Sequence, residues 1–303
     1  RPRRPHGWFE ADVQTAEVHT DTFGVVETPV RTIGDGPPLL LVHGLMTSNY
    51  SWRYVLEPLG RRFTVYAPDL PGAGRATLPG GADYDPRALA DWLGACIDTL
   101  GIGGCRCIGN SMGGYLAMWL ALRRPGAMSR LVNLHSPGVP TFRLRALHAA
   151  LAIPGSRGLL AWWVGRDPVR WAHQQVHYRD ETLKSREEAE IYAEPLESPE
   201  GRRCFARYLS DTMAPHALGS FRAELRSRHE AGRGFPIPLQ LVYADADPMV
   251  PAEVGDRLHE LIPGAEMVRL QDSSHFAHVD TPERFLEAAV PFLATEQPSA
   301  AHA

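Results

Sequence analysis

The sequence predicts an α/β protein with a mostly parallel, eight-stranded sheet that carries helices on both faces. Short apolar runs alternate with longer segments whose apolar residues recur at helical spacing, and this alternation is typical of such a sheet. Most of the apolar runs end at a turn that carries Gly, Pro, Asp, Asn or His. With 303 residues, of which 44% are hydrophobic, the chain is long enough for one sizeable core or for a core with an insertion.

The strands and helices follow from these patterns in order along the chain. The stretch before residue 37, which includes VVETPVRTIGDG, predicts a leading hairpin or pair of strands. The later apolar runs predict strands at residues 37–44, 63–70, 105–110, 130–136, 238–245 and 265–270. Helices are predicted in four segments that carry start and stop signals: DPRALADWLGACIDTLG, MGGYLAMWLALRRPG, PAEVGDRLHELIPG and TPERFLEAAVPFLA.

The regular alternation stops in residues 137–236. This stretch is rich in Arg, Trp, His and Glu and contains no convincing strand, so we interpret it as an inserted helical cap. Residues 1–136 and 237–303 would then form the core that carries the sheet. We expect the apolar residues of the insertion to pack on the edge of the sheet at which the loops lie. The chain after Thr295 is predicted to be a disordered tail.

Composition and charge argue against several classes of function. The net charge is −4 at pH 7, and Lys and Arg are scattered without a long basic stripe, which argues against a nucleic-acid partner. No apolar stretch reaches the length of about 18 residues that spans a bilayer. The cysteines show no paired metal-ligand spacing, and we interpret them as buried thiols in a reducing compartment: Cys96, Cys105, Cys107 and Cys204.

We therefore expect a cytoplasmic protein with no metal and no cofactor. Because the sequence does not begin with Met, an export signal upstream stays an alternative. The sequence does not predict an oligomeric state.

Ser111 lies in CIGNSMGGYLAMW, between a predicted strand and a predicted helix. A serine hydroxyl is a poor nucleophile unless a base removes its proton and the negative oxygen formed on the substrate is stabilised. A tight strand-to-helix turn lifts the serine clear of the sheet and requires small residues two positions away on each side, here Gly109 and Gly113. The helix that begins at Met112 would aim its free N–H groups at the site. Ser111 is therefore a candidate nucleophile, and the alternative is a glycine-rich turn capped by serine.

In this strand, turn and helix the chain resembles the α/β-hydrolase family. The resemblance covers residues 25–294, and within this range the insertion matches only as the family's variable cap. The family's His-Gly motif after the third strand is seen here as LVHGLMTSNYSW. It implies that the backbone N–H groups of Leu45 and Met112 form an oxyanion hole. APDLPGAGRAT is similar to the family's loop after the fourth strand, although Arg75 replaces the small hydroxyl residue that is frequent there. We assign that loop only a shaping role.

The resemblance also implies a catalytic triad in the chain order Ser, acid, His. A general base needs a pKa near the working pH, which favours histidine. His275, in VRLQDSSHFAHVDTPERF after the last strand, matches the base, and His278 is the alternative. The acid holds the imidazole in one tautomer, and YADADPMVP matches the family pattern at Asp247 with Asp245 as the alternative. The family's other acid position, after the sixth strand, has no carboxylate in LVNLHSPG.

Acyl transfer to water is the function that these residues favour. Ser111 in place of aspartate argues against haloalkane dehalogenases and epoxide hydrolases, whose chemistry needs an ester intermediate on a carboxylate. We expect a carboxylic ester hydrolase in which Ser111 attacks the carbonyl, His275 shuttles the proton and water releases the acyl-enzyme. The partner is a small-molecule substrate, small to medium in size and largely apolar. This last expectation rests on candidate pocket residues: Met46, Trp52, Trp162, Trp163, Trp171 and Phe276.

Other functions stay open. GNSMGG is similar to the elbow of carbon–carbon bond hydrolases that cleave ring-fission products. Those relatives usually have a glycine-rich oxyanion loop and a tryptophan after the histidine, where this chain has HGLMTS and Phe276. Related lyases and cofactor-free peroxidases share the triad. Some members of the fold instead bind a small molecule and signal through the cap, as hormone receptors do.

Overall fold

A computed structural model describes residues 2–140 and 142–295, and the tail predicted after Thr295 lies outside the described residues. The described part of the chain forms one eight-stranded sheet with the spatial order β1-β2-β4-β3-β5-β6-β7-β8. Its strands are β1 (Asp12–Thr20), β2 (Gly24–Ile33), β3 (Pro38–Val42), β4 (Thr64–Pro68), β5 (Cys105–Asn110), β6 (Met128–Leu134), β7 (Leu239–Ala244) and β8 (Glu266–Leu270). β2 is antiparallel to both β1 and β4, and all other neighbours are parallel. The predicted leading hairpin and mostly parallel sheet are therefore confirmed.

The α-helices lie between and after these strands. They are α1 (Leu56–Gly60), α2 (Pro86–Thr99), α3 (Met112–Arg123), α4 (Phe142–Leu151), α5 (Ser156–Arg166), α6 (Pro168–Gln175), α7 (Arg186–Ala193), α8 (Pro199–Arg207), α9 (Pro215–Glu230), α10 (Ala252–Leu261), α11 (Ala277–Asp280) and α12 (Pro282–Ala294). Helices α4 to α9 all fall between β6 and β7. None of the helices within the described ranges is both long and apolar enough to cross a membrane.

Alternate residues of the central strands pack into two separate apolar cores, one on each face of the sheet. In β3, Leu40 and Val42 join the core that contains residues of α2, α3 and α10. Leu39 and Leu41 join the core that contains residues of α1 and α12. Because both faces are covered, the strands are continuous apolar runs rather than alternating ones.

The order of the strands brings several turns to one edge of the sheet. The chain passes from β3 to β4 on one side and then, through α2, to β5 on the other side of β3. The turns after β3 and β5 therefore flank a crevice of the kind in which open α/β sheets bind ligands. The turns after β6, β7 and β8 open on the same edge, because these strands run parallel to β5.

The helical insertion is held to the sheet domain by a buried ion pair. Arg53, which follows β3 and a short 3-10 turn, places its guanidinium Nη2 2.7 Å from Oε1 of Glu188 in α7. Both side chains are buried. Within the insertion, Asp167 and Ser198 each stand directly before a proline that begins a helix. The side chain of each accepts a hydrogen bond from the backbone N–H three residues later in the chain. These side chains cap α6 and α8 at their N-termini.

Candidate active site

Ser111 is the single residue between β5 and α3, and it has φ 52° and ψ −120°. A non-glycine residue with positive φ costs strain that the surrounding structure must hold in place. The packing around the turn from β5 into α3, the elbow formed by residues 109–114, supplies that constraint. A Cβ atom on Gly113 would lie 2.2 Å from the carbonyl oxygen of Val42, and one on Gly109 would lie 2.6 Å from Cα of Gly114. The glycines are therefore required by the close approach of β3, β5 and α3.

The loop after β3 passes directly beside the elbow. A Cβ atom on Gly44 would lie 3.3 Å from Cβ of Ser111, and Leu45 follows Gly44 in the chain. Nε2 of the buried His43 accepts the N–H of Leu70 at 3.0 Å, and Nδ1 of the same ring lies 2.9 Å from the carbonyl oxygen of Gly44. Burial lowers the pKa of His43 to about 4, so the ring is neutral at pH 7 and its proton sits on Nδ1. His43 thus ties the loop after β3 to the loop after β4.

Met112 is the first residue of α3, directly after the serine. The first N–H groups of a helix have no intrahelical partner, and the helix dipole makes this end positive. The N–H groups of Met112 and Leu45 therefore belong to two segments that meet at Ser111. A donor pair of this kind is suited to a negative oxygen that forms on a substrate carbonyl.

His275 and Asp247 form a close pair at the ends of β8 and β7. Nδ1 of His275 lies 2.7 Å from Oδ2 of Asp247, and both side chains are buried. Oδ1 of Asp247 accepts the N–H groups of Met249 at 2.7 Å and Val250 at 2.9 Å. Burial by itself would raise the pKa of Asp247, but the neighbouring His275 and these hydrogen bonds lower it below the usual range. The ionised carboxylate therefore accepts the Nδ1 proton and leaves Nε2 of His275 free to act as a base.

The elbow and the histidine loop are joined by Asn110, the residue before the serine. Its Nδ2 donates to the carbonyl oxygen of His275 at 3.2 Å. The two alternatives for the acid and the base lie apart from this arrangement. Asp245 is exposed. His278 is fully buried, and its ring centroid lies 4.5 Å from that of Trp52.

His135, which the sequence analysis did not single out, lies against the pair. It directly follows β6, has φ 55°, and its ring centroid is 5.6 Å from that of His275. Burial lowers its pKa to about 3. A histidine near the carboxyl end of the predicted parallel strand at residues 130–136 is a signal that could have placed it at this edge of the sheet.

His135, Asp247 and His275 bring ligand-type atoms within 4.8 Å of one another, as the ligands of a metal ion would be. Nε2 of His135 accepts the N–H of Ala244 at 2.8 Å, so its neutral ring carries the proton on Nδ1. Nδ1 of His275 donates to the carboxylate. Nδ1 of both rings therefore presents N–H rather than a lone pair, and Nε2 of His135 is occupied by the N–H of Ala244. Only Nε2 of His275 keeps a free lone pair, so the cluster is arranged as a hydrogen-bonded network rather than as a ligand set.

A narrow cavity of about 20 Å³ lies between the sheet domain and the insertion. It reaches Gly44 and Met112 beside the elbow, but Ser111 and His275 are not among the described residues that line it. That volume is about enough for one water molecule. The insertion contributes large apolar and aromatic side chains to its wall, and no sequence pattern pointed to them: Tyr192, Leu196, Phe205 and Tyr208. The side chain of Met46, which the sequence predicted, also lines it.

The other predicted pocket residues divide into two groups. Trp171 packs edge-on against Phe205 with centroids 5.0 Å apart, and Phe276 packs edge-on against His275 at 5.2 Å. Both therefore lie next to the site. The remaining three predicted residues are tryptophans that are not among the described residues that line the cavity or that make ring contacts with His275: Trp52, Trp162 and Trp163.

These three tryptophans lie away from the cavity for different physical reasons. Trp52 is fully buried in the core, with its ring tilted against that of His278. Trp162 and Trp163 lie on the outer side of α5 and are 60% and 63% exposed, because the opposite side of that helix, at Val164, is the side that packs inward.

Comparison with known proteins agrees with the fold. The family model of the alpha/beta hydrolase fold matches residues 37–282. The chain therefore belongs to the α/β hydrolase family, and the resemblance noted from its sequence is confirmed. A solved structure of an alpha/beta hydrolase from Nostoc sp. PCC 7120 superposes with a TM-score of 0.79 at 18% identity, covering 95% of this chain and 100% of that one.

Two curated relatives span nearly the whole of this chain. It is 28% identical over 284 residues to the 2-hydroxy-6-oxo-2,4-heptadienoate hydrolase of Pseudomonas putida, covering 90% of this chain and 95% of the relative. It is also 28% identical over 276 residues to the pimeloyl-[acyl-carrier protein] methyl ester esterase of Aeromonas hydrophila, covering 87% of this chain and 98% of the relative. The relatives therefore include both a hydrolase named for a heptadienoate and a methyl ester esterase.

Proposed function

We propose that the protein is a serine hydrolase that cleaves a carboxylic ester through an acyl-enzyme on Ser111. His275 is the general base and Asp247 the acid that orients it, and the backbone N–H groups of Leu45 and Met112 form the oxyanion hole. The observation that carries the proposal is the 2.7 Å contact between Nδ1 of His275 and Oδ2 of Asp247, at the end of the sheet that also presents the elbow. A cytoplasmic location fits the four cysteines, which are all buried and free.

Each step uses a group with a defined role. The carboxylate of Asp247 keeps the proton of His275 on Nδ1, so that Nε2 takes the hydroxyl proton of Ser111 as Oγ attacks the ester carbonyl. The negative oxygen that forms is stabilised by the two backbone N–H groups and by the positive end of α3. His275 then gives its proton to the leaving alcohol. Water, activated by the same ring, releases the acid and restores Ser111.

The surroundings of the site favour an apolar acyl or alcohol group. Apolar side chains of Met46, Leu196 and Phe205 form much of the cavity wall. Since the cavity has room for about one water molecule, a substrate of small to medium size requires the insertion to move away from the sheet domain. We therefore assign residues 137–236 the role of a cap that opens to admit the substrate.

A carbon–carbon bond hydrolase is the second candidate, favoured by the GNSMGG elbow and by the Pseudomonas putida relative, whose name describes a dienoate substrate. Such a substrate carries a carboxylate, and a buried carboxylate needs a cation or several hydrogen-bond donors. The described residues that line the cavity include no Lys, Arg or His. The lack of a cation in this lining favours the neutral ester, whereas the hydroxyl groups of Thr47, Ser48 and Tyr192 in the same lining are donors that a carboxylate would use.

A panel of chromogenic acyl esters of increasing chain length tests the proposal, with the wild-type protein and Ser111→Ala compared side by side. We expect turnover by the wild type and a loss of about 10⁴-fold or more in kcat/KM for the variant. Equal rates for both proteins, or no turnover of any ester, would contradict it. Faster cleavage of a vinylogous diketone acid than of any ester supports the second candidate. Tight binding of a small molecule without turnover supports a receptor.

A further inference from the structure

Helices α4 and α5 carry an apolar surface that no part of the described chain covers. We define the α4–α5 face by five side chains that are between 60% and 87% exposed: Phe142, Ile153, Leu159, Trp162 and Trp163. The two helices pack against each other, so these side chains belong to one region of the molecule. Large apolar groups concentrated in one exposed region usually mark an interaction site.

The exposure follows from the geometry of α5. Leu159, Trp162 and Trp163 stand at positions i, i+3 and i+4, which place them on one side of the helix. The opposite side presents Val164, which is fully buried and packs with Phe205 on the wall of the cavity. Helix α5 is therefore apolar on both sides, and only the inner side has a partner within the protein.

The exposed charged side chains described on α4 and α5 are all arginines, and the nearest carboxylate along the chain is Asp167, directly after α5. Arg145 is exposed on α4, and Arg157 and Arg166 are exposed on α5. The guanidinium of Arg166 lies over the ring of Trp162, 5.3 Å from its centroid, and neither Arg145 nor Arg157 has an ion pair with a described residue. The sequence contains no Asp or Glu between Asp98 and Asp167.

We propose that the α4–α5 face docks the protein on the surface of an anionic lipid bilayer, with Trp162 and Trp163 inserted at the interface. Tryptophan is favoured at the boundary between headgroups and acyl chains, and exposed arginines are attracted to anionic headgroups. A second copy of the chain on this face would bring the same unpaired arginines together across a two-fold axis, and neither helix carries a carboxylate to offset them. The charge distribution therefore selects the bilayer over self-association.

Docking in this orientation places the membrane over the outer side of α5, whose inner side packs beside the cavity. The interaction is peripheral, because it uses one exposed side of α5 and no spanning segment. It does not depend on the proposed ester hydrolysis, so Ser111→Ala binds as the wild type does.

Vesicle flotation tests this proposal with the full chain. The probes are vesicles of phosphatidylcholine alone and of equimolar phosphatidylcholine and phosphatidylglycerol. We expect binding to the mixed vesicles that weakens as salt is raised, and weaker binding to phosphatidylcholine alone. Trp162→Ser/Trp163→Ser loses about tenfold in affinity for each tryptophan. Arg145→Gln/Arg157→Gln loses about fivefold for each arginine, on the mixed vesicles only.

The matched control is Val13→Ser/Val25→Ser, which removes two exposed apolar side chains from β1 and β2 instead. It binds the mixed vesicles as the wild type does. Circular dichroism and thermal melting establish that each variant is folded. The proposal is overturned if the wild type does not bind mixed vesicles, if it binds both vesicles equally at all salt concentrations, or if the control loses as much as the tryptophan variant. A lipid-free dimer in sedimentation that Trp162→Ser/Trp163→Ser abolishes assigns the face to self-association instead.

Discussion

Nδ1 of His275 and Oδ2 of Asp247 lie 2.7 Å apart, although the two residues are separated by 28 positions in the chain. Each residue of the pair is fixed by a further hydrogen-bond partner. The turn after β7 directs two backbone N–H groups at the other oxygen of Asp247, and Asn110 binds the carbonyl oxygen of His275. The geometry of the proposed base is therefore set by three turns that meet only because β5, β7 and β8 are parallel strands of one sheet.

The choice of acid can be tested with two matched variants. We expect Asp247→Asn to lower kcat for a chromogenic ester by about 10⁴-fold, because the amide no longer holds His275 in the required tautomer. Asp245→Asn, two residues away and exposed, should keep wild-type activity. Initial rates of the purified proteins decide the matter. Our assignment of the acid is wrong if the two variants behave the other way round.

The steric requirement at the elbow predicts the effect of a single methyl group. In Gly113→Ala the new Cβ would overlap the carbonyl oxygen of Val42, which belongs to the backbone of β3 and cannot move aside cheaply. We expect the free energy of unfolding to fall by about 1–3 kcal/mol and esterase activity to be lost as Ser111 shifts. Gly103→Ala, where a Cβ meets nothing within 4 Å, is the control and should change neither quantity by much. Urea unfolding and ester assays of both variants measure the difference.

The buried ion pair between Arg53 and Glu188 predicts a large loss of stability when one partner is removed. Glu188→Ala leaves the guanidinium of Arg53 buried without its carboxylate, and we expect unfolding to become easier by about 3–5 kcal/mol. The exposed pair of Arg186 and Glu190 in the same helix provides the control. Glu190→Ala should cost less than about 0.5 kcal/mol, because an exposed i,i+4 pair contributes little. Similar losses in both variants, by denaturant unfolding, would show that Arg53 finds another partner.

Buried histidines predict that stability falls as the solution is acidified. Burial lowers the pKa of His43 to about 4 and of His135 to about 3, and it holds the pKa of His278 well below its usual value. Below pH 6.5 these histidines bind protons when the chain unfolds but not in the native state, so acid favours unfolding. Asp69 acts in the opposite direction below pH 6, because burial raises its pKa to about 6 and the native state then holds the extra proton.

The balance is a net uptake of about two protons on unfolding near pH 5. The free energy of unfolding should therefore decrease by roughly 3 kcal/mol for each pH unit in that range. Urea titrations between pH 7 and pH 4 measure the slope. A free energy of unfolding that stays constant from pH 6.5 to pH 4.5 would mean that these histidines are not buried in the neutral form.

Local patterns in the sequence were sufficient for the sheet, the elbow and the fold family. Apolar runs of strand length, helix caps and the spacing of small residues around Ser111 all depend on residues that are close together in the chain. Such local patterns can be read from the sequence directly. The roles of His275 and Asp247 came from the family resemblance and stay predictions, although the structure pairs these two side chains and not their alternatives.

Tertiary structure decided everything that depends on which side of an element faces inward. The sequence determined that residues 137–236 are helical in character and rich in tryptophan, but it placed Trp162 and Trp163 in a pocket, whereas the packing of Val164 turns them towards solvent. Likewise, His135 reaches His275 only because β6 and β8 end at the same edge of the sheet. Periodicity fixes the angle between side chains on one helix or strand, and only the fit against the rest of the chain selects the side that is buried.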